Sequence, residues 1–219
     1  MAINLFSLIN RFRRDDTNSD LEPIRAEISS VERLEQYAAA LAIQHQIHLK
    51  PVRGRRLLPR LDDNARVLIS VYRTLAEAIR GGRPITPAAE WLVDNFHIID
   101  DQLREIRQDL PKGYYFELPK LRAGEFAGYP RIYSIALELV AHTDSRLDVE
   151  TLRRFIRAYQ KEKVLTLGEL WAIAISLRLA LVENLRRLAV RTVSRAKNAK
   201  RRIDSPTVCL RPRRNSRKP

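Results

Sequence analysis

The chain has 219 residues, 45% of them hydrophobic and 30% charged, which allows one domain with a real core and is too apolar for a disordered chain. Its net charge of +14 sits mostly in the tail: residues 191–219 hold eleven Lys/Arg against Asp204 alone, while residues 1–190 hold 29 basic and 25 acidic side chains, so the pI does not make the whole chain a nucleic-acid binder. One cysteine, Cys209, excludes a disulfide framework and a cysteine-based zinc site, and seven glycines among abundant Ala, Leu, Arg and Glu favour helix.

In chain order, residues 1–20 read as a flexible lead-in ending in the turn cluster DDTNSD. Its first ten residues lack the basic n-region and cleavage site of a secretory signal. A short amphipathic turn there, ahead of Arg11, Arg13 and Arg14, would touch anionic lipid, but a frayed terminus is the plainer reading. A first helix is predicted from Glu22 to Gln46, with Ile24, Ile28, Val31, Leu34, Ala38 and Leu41 as its apolar stripe. His45 and His48 lie beyond the periodic part. Two histidines three apart can share a metal, yet no third ligand stands near, so they read as a solvated helix end. LKPVRGRRLLP (49–59) sets two prolines and a glycine around four basic residues. It reads as a solvated linker, with phosphate contact as the sharper alternative. A second helix covers Leu61 to Arg80, stopped by Gly81-Gly82.

The stretch from Thr86 to Leu121 holds the densest chemistry. Thr86 is a good N-cap, and Pro87 suits the first helical position. Leu92, Phe96, Ile99, Leu103, Ile106 and Leu110 then draw one apolar stripe along about six turns. Glu90, Asp94, His97 and Asp101 fall on the opposite face. Carboxylates and imidazole one turn apart can chelate a metal, but surface helices often carry such charges. Asp94 or Asn95 bonding to a neighbouring loop is the stronger structural reading. After Pro111 and Gly113 come Tyr114, Tyr115 and Phe116, which either stack on a sugar ring or fill a gap between helices. Glu90, Asp94, Asn95, His97, Asp101, Tyr114 and Tyr115 together make the candidate polar or docking surface.

RAGEFAGYP (122–130) is the best internal hinge, and a helix from Pro130 to His142 ends in the polar run HTDSR. Asp148 caps the next helix, which carries Leu152, Phe155, Ile156 and Tyr159 at helical spacing. Thr166-x-x-Glu169 is a capping box for the last helix. Leu170, Ala174, Leu177, Leu181, Leu185 and Leu188 mark its predicted buried face, with Trp171 packed beside it. Arg154/Arg157 and Arg186/Arg187 read as charged outer faces. The most apolar run, Leu170 to Val182, contains Arg178 and falls short of the roughly 20 residues a membrane span needs. The expected architecture is all-α: an antiparallel bundle of about six helices over 21–193, then a disordered basic C-terminal tail, 194–219.

The blocks LEPIRAEISSVERLE (21–35), LLPRLDDNARVL (57–68), AGYPRIYSIA (127–136), AHTDSR (141–146), RRFIRAYQ (153–160), LTLGELWAI (165–173) and LVENLRRLA (181–189), with the Thr86–Leu121 stretch, carry a resemblance. In that order they resemble the N-terminal region of the cyclic β-1,2-glucan synthases, large bacterial inner-membrane glycosyltransferases, from Leu21 to Val193. The resemblance implies a parent enzyme that builds β-1,2-glucan from UDP-glucose, closes it into rings and delivers it to the periplasm. It places the catalytic and membrane-spanning parts downstream, as partners of this region. It implies a location in the cytoplasm or at the cytoplasmic face of the inner membrane. The resemblance stops near Ser194, where the composition also turns to Arg, Pro and Ser. A shifted reading frame explains that coincidence better than a native basic arm does.

The residues themselves show no nucleophile on a glycine turn, no P-loop and no dinucleotide fingerprint. The 26 acids give no cue to a converging pair. No catalytic, cofactor or metal residue is assigned, and the chain alone is expected to be inactive. The competing reading is a stand-alone helical interaction protein whose basic tail binds nucleic acid or anionic membrane.

Overall fold

The computed structural model describes residues 31–48, 50–110 and 113–204, with Val31 and residues 195–204 by backbone alone. The lead-in at 1–20, the start of the first predicted helix with Ile24 and Ile28, and residues 205–219 of the tail lie outside the described residues.

Eight helices and no strand occupy the described residues: α1 Val31–Gln44, α2 Leu57–Arg80, α3 Pro87–Asp94, α4 Phe96–Gln108, α5 Tyr114–Glu117, α6 Arg131–His142, α7 Val149–Glu162 and α8 Leu167–Asp204. The predicted caps form. Thr86 accepts from the Ala89 amide at 3.3 Å, and Asp148 accepts from the Thr151 amide at 2.8 Å. Thr166 and Glu169 exchange both bonds of a capping box, at 2.9 and 3.2 Å. α2 begins four residues earlier than expected, because Pro59 sits in its first turn, where a missing N–H leaves no bond unmade.

The chain is organised around α8, and the chemically dense stretch Thr86–Leu121 packs against it. α2, α3, α4 and α6 all pack on it, and it is buried at every position from Leu179 to Leu185. Its actual inner stripe runs through Ala172, Ile175, Leu179 and Val182, so Ala174 is exposed and Trp171 is 73% exposed instead of packed. The backbone of α8 continues to Asp204, past the expected end of order at Val193.

α1 pairs with α7, and their contacts match start to start and end to end: Arg154 Nε to Glu35 at 2.6 Å, and His45 Nδ1 to the Tyr159 hydroxyl at 2.8 Å. These two helices therefore run the same way. So do α6 and α8, joined by Arg131–Glu169 at their starts and by Asn184 Nδ2 donating to Ser145 Oγ at 2.9 Å further along, with α7 returning the chain between them.

The predicted six-turn helix is two helices, broken at Asn95. The Asn95 side-chain amide donates to the Trp91 carbonyl at 2.8 Å, the same oxygen that accepts its backbone N–H at 3.1 Å. This local competition tips the backbone to φ −107°, ψ 16° and ends α3. Leu92, Ile99, Leu103, Ile106 and Leu110 are core as expected, but Phe96, at the break, is half-buried and stacks on Tyr72 with centroids 4.3 Å apart.

The expected hinge at 122–130 is a fastened loop. Leu121 donates to the Tyr129 carbonyl at 3.0 Å, Gly128 to Leu121 at 2.8 Å and Arg55 to Gly128 at 2.8 Å. The bridge Lys120–Pro130 joins the two ends of the loop, and the bridge Ile47–Leu121 ties it to the segment after α1. Gly128, at φ +83°, takes the left-handed conformation that this corner requires.

Candidate functional site

The polar interior lies along α8. Glu169, Ser176 and Glu183 are seven residues apart, so they share one helical stripe, and all three are buried. Arg131, on the first turn of α6, meets Glu169 side-on: Nε to Oε1 at 2.8 Å and Nη2 to Oε2 at 2.5 Å. Arg131 Nη2 also donates to the Val164 carbonyl at 3.1 Å, and its guanidinium lies 5.8 Å from the Tyr159 ring centre. Burial alone would lower the Arg131 pKa; the bonds and charge of Glu169 hold it above its ordinary value.

Glu183 is a second hub. Arg60 reaches it bidentately, Nε at 2.7 Å and Nη2 at 2.6 Å, from the first turn of α2. Asn64 Nδ2 donates at 3.2 Å and Arg187 Nη2 at 3.1 Å. Arg187 and Arg186 thus turn toward a buried acid rather than forming the outer face expected of them. Burial presses the Glu183 carboxyl up, but these donors, Arg60 foremost, hold its pKa below the usual value. Both carboxylates are saturated by arginine. Such groups fasten helices together.

His45, expected to be solvated, is buried against Tyr159. Burial, then the charges of Arg131 and Lys163, push it down to about 4. Burial likewise pushes the Tyr159 hydroxyl up to about 12. The unfolded chain, with His45 near 6.5, takes up a proton before the folded one does. Stability should therefore be full above pH 6.5 and fall as the pH drops toward 4, by about 2 kcal/mol once partial screening is allowed for. Chemical denaturation of the wild type and of His45→Gln across pH 4–7 checks this; the variant should show a flatter profile in that window.

The candidate surface residues scatter into ordinary roles. Glu90, Asp94, His97 and Asp101 are exposed, and Asp101 pairs with Arg104 at 3.6 Å. Asn95 caps the break already described. The Tyr114 hydroxyl donates to the Gly168 carbonyl on the first turn of α8, so α5 is a clasp on that helix. Tyr115 is half-buried, and its hydroxyl has no partner among the described residues. Among the described residues, no three His, Cys, Asp or Glu side chains converge as a metal's ligands would. None of their helices is long and apolar enough to cross a membrane.

Sequence reading missed the buried Arg131, the pairing of Arg60 with Glu183, and His45. Arg131 stands one residue after Pro130 at a helix start, where a cation reads as surface. The usable signal was the seven-residue spacing of Glu169, Ser176 and Glu183 inside an apolar helix.

An all-α module clamped around one long helix by arginines on buried glutamates is what fold and interior define, and in sequence this module is similar to part of a cyclic glucan synthase. The relative is the cyclic beta-(1,2)-glucan synthase NdvB of Rhizobium meliloti (strain 1021), 35% identical over 183 residues, or 84% of this chain. The match amounts to 6% of that synthase, so the chain spans a small part of its length. No family model matches the chain.

Proposed function

We propose that this chain is the N-terminal, non-catalytic helical segment of a cyclic β-1,2-glucan synthase, acting in the cytoplasm or at the cytoplasmic face of the inner membrane. The observation that carries the reading is the 35% identity over 84% of the chain to a synthase of which it matches 6%. The saturated carboxylates support the non-catalytic part, because Glu169 and Glu183 are both spent on structural pairs. The partner on this reading is the remainder of the synthase, which holds the transferase and membrane-spanning parts. The resemblance read from the residues stops near Ser194, so the basic tail, 194–219, stands outside this reading.

Incubating the purified chain with labelled UDP-glucose should yield no labelled glucan. Glucan formation by the chain alone would overturn the non-catalytic assignment. The DNA after codon 193, translated in the other two frames, should resume synthase-like sequence. If no frame does so, and deleting residues 194–219 abolishes DNA binding by the chain, the stand-alone interaction protein replaces this reading.

A further inference from the structure

The basic connector read as a solvated linker is held rigidly. A Cβ on Gly54 would lie 2.3 Å from the Gly128 carbonyl oxygen and 2.4 Å from Lys120 Cδ, so only glycine allows the approach. The next residue, Arg55, donates its backbone N–H to Gly128 and sets its guanidinium 5.5 Å from the Tyr129 ring centre. The backbone so placed brings Arg53, Arg55 and Arg56 to the wall of a cavity of about 450 Å³, with Tyr115, Phe116 and Lys120 among its other walls.

Four of the cavity's lining residues are cationic and none is a carboxylate. Arg53, Arg55 and Arg56 are exposed and form no ion pair among the described residues, unlike Arg60, Arg131 and Arg154. Lys120 is different: its ammonium caps the end of α5, donating to the carbonyls of Tyr115, Phe116 and Leu118 at 2.9–3.1 Å, and contributes charge without a free donor. Tyr115 brings the buried hydroxyl that has no partner among the described residues. Glu117 acts on Lys120 and Asp109 on Tyr115, but neither lines the cavity.

We propose that Arg53, Arg55 and Arg56, set around Gly54 at the cavity walled by Tyr115 and Phe116, form a binding site for a phosphate group. Guanidinium forks match the oxygens of a phosphate group bidentately, and three of them around one cavity offer more such donors than a single carboxylate would use. The phosphate belongs either to a small soluble ligand or to a lipid headgroup, and both present the same chemistry to the arginines.

The test uses the full chain, so the basic tail is present throughout. Inorganic pyrophosphate is titrated by calorimetry and thermal shift. Vesicles of phosphatidylglycerol are compared with phosphatidylcholine by co-sedimentation. The variant R53Q/R56Q is set against R66Q/R73Q, which removes the same charge from exposed positions further along α2. The first pair should weaken binding at least tenfold and the second less than twofold, with unchanged melting temperatures of the free proteins. Tyr115→Phe should weaken it a few-fold. Saturable pyrophosphate binding assigns a soluble phosphate; a response confined to phosphatidylglycerol, and lost in R53Q/R56Q, assigns a headgroup. Equal losses in the two double variants, or no binding to either probe, overturn the site.

Discussion

Arg131→Met should cost about 3–5 kcal/mol, because it leaves the Glu169 carboxylate, 0% exposed, without the one salt-bridge partner it has among the described residues. Glu169→Gln should cost about as much from the other side. Its amide still serves the capping box with Thr166, so the loss comes from stranding Arg131 and not from uncapping α8. The double variant Arg131→Met/Glu169→Gln buries no lone charge. It should recover about 2 kcal/mol relative to the sum of the single losses. Urea melts of the four proteins give this coupling directly; simple additivity would mean that the pair is not the clamp its geometry describes. A loss of this size is a large share of a domain's usual 5–15 kcal/mol, so the single variants should also be poorly soluble.

That prediction rests on residues whose role was only half legible from the sequence. Glu169 was readable as a capping-box residue, since Thr166 lies three positions before it and the whole signal is local. Its pairing with Arg131, 38 positions away, was not, because nothing local marks an arginine as buried. The same division runs through the fold. Caps at Thr86 and Asp148, the glycine stop at 81–82 and the apolar stripe through Ile99, Leu103 and Ile106 were legible, being set within a few turns of chain. The break at Asn95 and the burial of His45 were not. The first depends on a side-chain amide choosing a carbonyl, the second on a tyrosine 114 positions away. Trp171 shows the limit of periodicity. It neighbours the buried stripe in sequence, yet the inner face of α8 is decided by where α2 and α6 approach it, and that face leaves Trp171 outside. The basic connector at 53–56 read as a linker because Gly54's close approach to Gly128 is tertiary, and only that approach turns its three arginines into a cavity wall.

Glu183→Gln should cost about 2–3 kcal/mol and should also change the shape of the acid denaturation curve. The carboxylate is 2% exposed and takes a bidentate bond from Arg60 with further donors from Asn64 and Arg187, so its loss unpairs several partners at once. Arg60→Met should cost less, about 1–2 kcal/mol, because Glu183 keeps Arg187 at 3.1 Å and Arg186 at 3.9 Å. The Arg60 side chain is also 28% exposed, so water already screens part of that pair. The hub should therefore outweigh the spoke, and equal losses would show that Arg60 alone carries the interaction. The pH dependence separates Glu183 from His45. Its folded pKa lies below the ordinary 4.5, so its contribution is complete above that value and is lost as pH falls through the folded pKa. His45 acts earlier, between 6.5 and about 4. Acid denaturation should accordingly proceed in two stages. His45→Gln should flatten the upper stage and leave the lower one, while Glu183→Gln should remove part of the lower stage and leave the upper slope. Stability measured from pH 3 to 7 on both variants checks the assignment, and a single slope abolished by either substitution would show that one group governs the whole transition.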